Sequence, residues 1–127
     1  MARKSNKDFK PAIFETNDTN FAHSRIYVSM LESVAWGNLT NNARVLYLYM
    51  KSQFYRKDCI EGFSSKEYFY FNQGMWQGKY NLYKNKNQFY KDRDLLIANG
   101  FIEIAVQGRN TRTKMVYKFS DQWKYIT

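Results

Sequence analysis

The chain has 127 residues, 44% of them hydrophobic and 19% aromatic, enough for one compact domain with a core and too apolar for a disordered polymer. Twenty Lys and Arg against eleven Asp and Glu leave a net charge of +9, which suits a polyanionic partner: nucleic acid first, an anionic membrane surface second. No apolar run reaches the roughly eighteen residues of a membrane span, and Cys59 stands alone, so we expect a cytoplasmic protein with no membrane partner and no internal disulfide.

Residues 1–20 read as a flexible basic arm. Arg3, Lys4, Lys7 and Lys10 carry charge, "ETNDTN" is polar and turn-prone, and no apolar stretch follows the basic residues as a secretory signal requires. The domain proper is expected over 21–127. "YVSMLESVAW" places Tyr27, Met30, Leu31 and Val34 at helical spacing, predicting one helix that ends near Gly37. Thr40 then has the character of an N-cap. Ala43, Leu46, Tyr47, Met50 and Phe54 follow at steps of three and four, a buried stripe on a helix over about 41–55.

"RKDCIEG" breaks that pattern as a loop. In "FSSKEYFYFNQGMW", Ser64 and Glu67 have the spacing of a capping box, but the aromatic run favours a short strand over 68–71. Asn72 can cap a short helix through Trp76 and Gln77. Asn85 can cap a longer one over 86–99, with Phe89, Leu96 and Ile97 inward and Asn87, Lys91 and Asp94 pointing elsewhere. Gly100 stands where a helix needs a left-handed residue to close it.

Two alternating segments follow. Ile102, Ile104 and Val106 lie on one side of the first, and Met115, Tyr117 and Phe119 on one side of the second, the signature of a hairpin. Gly108 offers the positive φ that its tight turn needs. Ser120 can cap a last helical turn that packs Trp123. The fold class is therefore α+β, mostly helical with a C-terminal β-hairpin. A helix running through a glycine straight into a hairpin with a basic tip is the plan of a winged helix-turn-helix. The helix can enter a major groove while the tip follows the backbone or the adjacent minor groove.

"LTNNARVLYLYM", "NKNQFYKDRDLLIANGFIEI" and "VYKFSDQW" resemble the winged helix-turn-helix domains of small DNA-binding proteins from plasmids and other mobile elements of Gram-positive bacteria. Some of those are similar to replication-initiator amino-terminal domains, others to accessory proteins that bind a transfer origin. The resemblance spans about 27–123 and rests mainly on core positions. It implies that 85–99 is the recognition-helix region and 108–112 the wing. The expected partner is double-stranded DNA, with a relaxase or replication protein as a candidate companion; recognition by one small module is modest, and a homodimer or repeated sites would raise affinity and selectivity.

Between residues 84 and 118, eight basic residues less three acidic ones give +5, over half of the net charge in about a quarter of the chain. Arg109 and Arg112 lead the candidate DNA-binding residues, because guanidinium forks grip phosphate or enter a narrow minor groove. The alternative is a solvated hairpin tip kept charged against edge pairing. Asn110, Thr111 and Lys114 stand beside them. Lys84, Lys86, Asn87, Gln88 and Lys91 gather at the amino-terminal end of the longer helix, where amides read adenine edges, lysines take guanine or phosphate, and the helix end itself attracts anions. A polar first turn of an ordinary surface helix would look the same.

Tyr68, Phe69, Tyr70, Phe71, Trp76, Tyr80 and Tyr83 could stack the bases of a single strand, but a small domain must also bury its rings, and core packing is the stronger reading. Tyr90 reads as packing too. Catalysis has little support, and neither a metal nor a cofactor is expected. His23 is the sole histidine, and the Gly74–Gly78 spacing fits neither a phosphate-binding loop nor a dinucleotide site. Glu61, Glu67, Asp92 and Asp94 read as exposed charges rather than an acid–base pair. The reading is a non-enzymatic, sequence-preferring double-stranded DNA-binding protein. A docking module of a replication or transfer complex and a single-strand binder are the alternatives.

Overall fold

A computed structural model describes residues 14–15, 23–108 and 114–127. The arm expected over 1–20 falls almost wholly outside the described residues, and so does the hairpin tip, 109–113. The architecture is α+β: helical segments packed on one small three-stranded antiparallel sheet.

The helix expected over 27–37 is two short helices, α1 (Val28–Leu31) and α2 (Val34–Gly37). Ser33 causes the break. Its hydroxyl donates to the Met30 carbonyl at 2.6 Å and accepts from the Trp36 amide at 3.1 Å, closing one helix and capping the next. The break also changes which residues face inward. Met30, Ala35 and Trp36 are buried, while Tyr27, Leu31 and Val34, expected in the core stripe, are exposed.

α3 (Asn41–Lys51) starts where Thr40 Oγ1 accepts from the Ala43 amide at 3.2 Å, and it buries Ala43, Leu46, Tyr47 and Met50. Its last turn tightens into a 3₁₀ segment, Ser52–Tyr55, which leaves Phe54 half-buried. β1 is shorter than expected, Tyr68–Phe69. Asn72 behaves as a cap: its carbonyl accepts from Trp76 N at 3.0 Å, and its Oδ1 from Met75 N at 3.2 Å. A π-helical segment, Gly74–Lys79, follows.

α4 (Lys86–Ala98) opens on Asn85, whose Oδ1 accepts from the Gln88 amide at 3.0 Å. It closes in a Schellman motif. Gly100 N donates to Ile97 O and Phe101 N to Leu96 O, both at 3.1 Å, with Gly100 at φ 78°. β2 (Ile102–Val106) and β3 (Val116–Phe119) form the hairpin, with an irregularity between Ile104 and Val106 where the register shifts. β1 adds to the other edge of β3, giving the order β1-β3-β2.

The core lies between the helices and this sheet. Leu46, Met50, Phe69, Phe71, Phe89, Leu96, Phe101 and Ile102 are its most enclosed side chains. Stacked rings tie the parts together: Trp76 on Phe89 at 5.0 Å, Phe69 on Phe119 at 4.3 Å and Phe101 on Trp123 at 6.0 Å. Of the aromatic run, Phe69, Phe71, Trp76 and Tyr83 are buried and Tyr68, Tyr70 and Tyr80 half-buried. No helix among the described residues is long and apolar enough to cross a membrane.

Candidate nucleic-acid interface

The orientation of α4 decides what this helix can touch. Phe89, Asp92 and Leu96 recur at helical spacing and are the residues it buries. Asp92 therefore corrects the expectation of an exposed carboxylate: it is 2% exposed, and Oδ2 accepts from the Tyr83 hydroxyl at 2.7 Å. Burial raises the Tyr83 phenol above its ordinary range, and the bond to Asp92 raises it further, so the hydroxyl keeps its proton and donates. The pair pins the segment before α4 onto the helix. Gln77 Nε2 adds a second tie, donating to the Lys84 carbonyl at 3.1 Å.

Asn87, Lys91, Asp94 and Ala98 form the outward stripe of α4, and all are exposed. Asp94 is ion-paired with Arg93 at 2.8 Å, which offsets its charge on this face. Arg93 is largely covered. It lies over the Tyr90 ring at 4.7 Å and reaches Met115 Sδ at 3.5 Å, joining helix to hairpin. Its guanidinium serves the fold rather than the open surface.

The remaining expected site residues divide between two clefts. Lys86, from the first turn of α4, and Lys114, from the start of the returning strand, line the same cleft of about 250 Å³, with Gly108 at the end of the outgoing strand. Lys84 and Gln88 line another of about 280 Å³ on the α3 side, with Asn42 and Val45. Lys84, Lys86, Asn87, Gln88, Lys91 and Lys114 are all exposed. Arg109, Asn110, Thr111 and Arg112 lie outside the described residues, but the strands that carry them bring Gly108 and Lys114 beside α4's first turn.

Charge distinguishes the Lys86–Lys114 cleft from a larger one, of about 680 Å³. The larger is lined by Arg25, Lys51 and Lys118 but also by Glu67, Glu103 and Asp121, a mixture that does not favour a polyanion. Among the described residues, the lining of the Lys86–Lys114 cleft holds no carboxylate. Sequence reasoning missed Tyr70, Asn72, Gln73 and Tyr90 as members of that lining. Nothing in their local pattern indicates it, because three separate segments have to meet to form the cleft. No family model, curated protein or solved structure matches the chain.

Proposed function

We propose that the chain is a winged helix-turn-helix protein that binds double-stranded DNA with sequence preference and without catalysis, in the cytoplasm, serving transfer or replication of a plasmid or mobile element. The topology supports this reading. α1, α2 and α3 with its 3₁₀ extension precede β1, two helical segments separate β1 from β2, and the sheet order is β1-β3-β2 with the hairpin directly after α4. That arrangement sets the amino-terminal end of α4 beside Gly108 and Lys114 of the hairpin.

The observation that carries the proposal is the meeting of Lys86 and Lys114 on a cleft with no carboxylate among its described lining residues, flanking the segment whose sequence holds Arg109 and Arg112. Lys84, Lys86, Lys91 and Lys114 neutralise phosphates, Asn87 and Gln88 read base edges, and Arg109, Asn110, Thr111 and Arg112 follow the backbone or minor groove. The basic arm adds affinity. Tyr27, Val28, Leu31 and Val34, exposed together on α1 and α2, favour a second contact, with another copy of the chain or with a relaxase or replication protein.

Fluorescence anisotropy of a labelled duplex over a salt series tests this. With about six phosphates contacted, the log-log slope of affinity on salt is near −5. The double variant Arg109→Ala, Arg112→Ala reduces that slope by about 2 and weakens binding to every sequence. Weak duplex binding that is flat with salt would refute the proposal.

A further inference from the structure

The cleft of about 250 Å³ between α4 and the hairpin has an aromatic interior that a DNA backbone does not need. Phe71, Trp76, Phe89 and Tyr117, all buried, form its base, while the half-buried Tyr70 and the exposed Tyr90 line its open part. Asn72 and Gln73 bring amides to it, and Lys86 and Lys114 bring positive charge. The space exceeds the roughly 150 Å³ in which a closed apolar cavity holds a benzene ring, so a nucleobase is not too large for it. Bases of an intact duplex keep their faces stacked on one another, so a DNA base reaches a ring-lined cleft beside Lys86 and Lys114 only from outside the stack.

Resting on the DNA-binding reading above, we propose that this cleft takes one unpaired nucleotide of the bound DNA, its base against Tyr70 and Tyr90 and its phosphates against Lys86 and Lys114. The chemistry matches at each part. Asn72 accepts from Met75 N through Oδ1, and Gln73 donates to Gln77 through Nε2, so Asn72 Nδ2 and Gln73 Oε1 offer a donor and an acceptor to a base edge. Lys114 rests over the Tyr70 ring at 5.2 Å, a weak exposed contact that a phosphate can draw it away from. The preferred substrate is accordingly duplex DNA with a bulged or extruded base, rather than uniform duplex.

The test compares a labelled perfect duplex, the same duplex with one bulged 2-aminopurine, and a single strand carrying that base. The bulged duplex is expected to bind about tenfold tighter than the perfect one, with quenched 2-aminopurine fluorescence. Tyr70→Ala with Tyr90→Ala removes the quenching and brings the affinity ratio of bulged to perfect duplex, measured in the same variant, to about one; a ratio still near tenfold overturns the nucleotide site. Tyr90→Leu alone, which keeps an apolar side chain at the site, removes most of the quenching and guards against a folding artefact. Equal affinity for the two duplexes with unquenched 2-aminopurine overturns the nucleotide site and leaves duplex binding standing. Quenching by the single strand with neither duplex bound keeps the nucleotide site and overturns the duplex reading. No binding in any arm overturns both.

Discussion

Tyr83 and Asp92 form the buried polar contact on which the placement of α4 depends. Asp92 is the charged side chain enclosed among the described residues, and the Tyr83 hydroxyl is its donor. Tyr83→Phe removes that donor and leaves a buried carboxylate without it, at a cost of about 1–3 kcal/mol. Asp92→Asn retains an acceptor and costs less. Urea titration of both variants measures the difference, and a Tyr83→Phe protein as stable as the parent would contradict the assignment. The sequence held the signal for this residue. Asp92 lies three residues after Phe89 and four before Leu96, on the stripe already read as inward, but its charge outweighed its position. Asp94, by contrast, keeps its expected exposure, and its charge is offset by Arg93.

At the scale of elements, the ends of α4 were legible because short-range chemistry fixes them. Asn85 caps the start, and Asn85→Ala is expected to cost about 1 kcal/mol in thermal or denaturant unfolding. Gly100 is required twice over. Its φ of 78° disfavours any side chain, and a Cβ there would meet Trp123 N at 2.5 Å and the Gln122 carbonyl carbon at 2.6 Å. Gly100→Ala should therefore cost more than the roughly 1 kcal/mol of a simple left-handed glycine site and displace the final 3₁₀ turn, Gln122–Tyr125. A loss of stability with unchanged Trp fluorescence would show that the turn stays in place. The same short-range logic failed at 27–37. The apolar spacing there fits one helix, but Ser33 can cap as well as continue, and the core accepts Trp36 instead of Leu31 and Val34.

For the whole molecule, several buried phenols make stability depend on alkaline pH. Burial, with a smaller contribution from Tyr55, pushes Tyr47 up to about 12; Tyr83 and Tyr117 are also raised, chiefly by burial. Below about pH 10 these groups are neutral in both folded and unfolded chains, so their contribution is intact. Above it the unfolded chain loses protons that the folded one keeps, and stability falls as pH rises towards about 12. Thermal melts should be level from neutral pH to about pH 9 and drop steeply beyond about pH 10. A melting temperature independent of pH up to about 11 would show that these phenols are not enclosed.

The sequence by itself determined the α+β class, the caps at Thr40 and Asn85, the glycine closure of α4, the hairpin and the concentration of positive charge from residue 84 onwards. Each of these depends on residues a few positions apart or on a sum over the chain, so no knowledge of distant neighbours is needed. The tertiary packing settles that β1 pairs with β3, that Arg93 reaches Met115 of the hairpin, and that Lys86 and Lys114 share a cleft with Tyr70 and Tyr90. The strand pairing and the cleft depend on how segments some 15–50 residues apart pack around a common core, and a linear pattern carries no record of which surfaces will face one another.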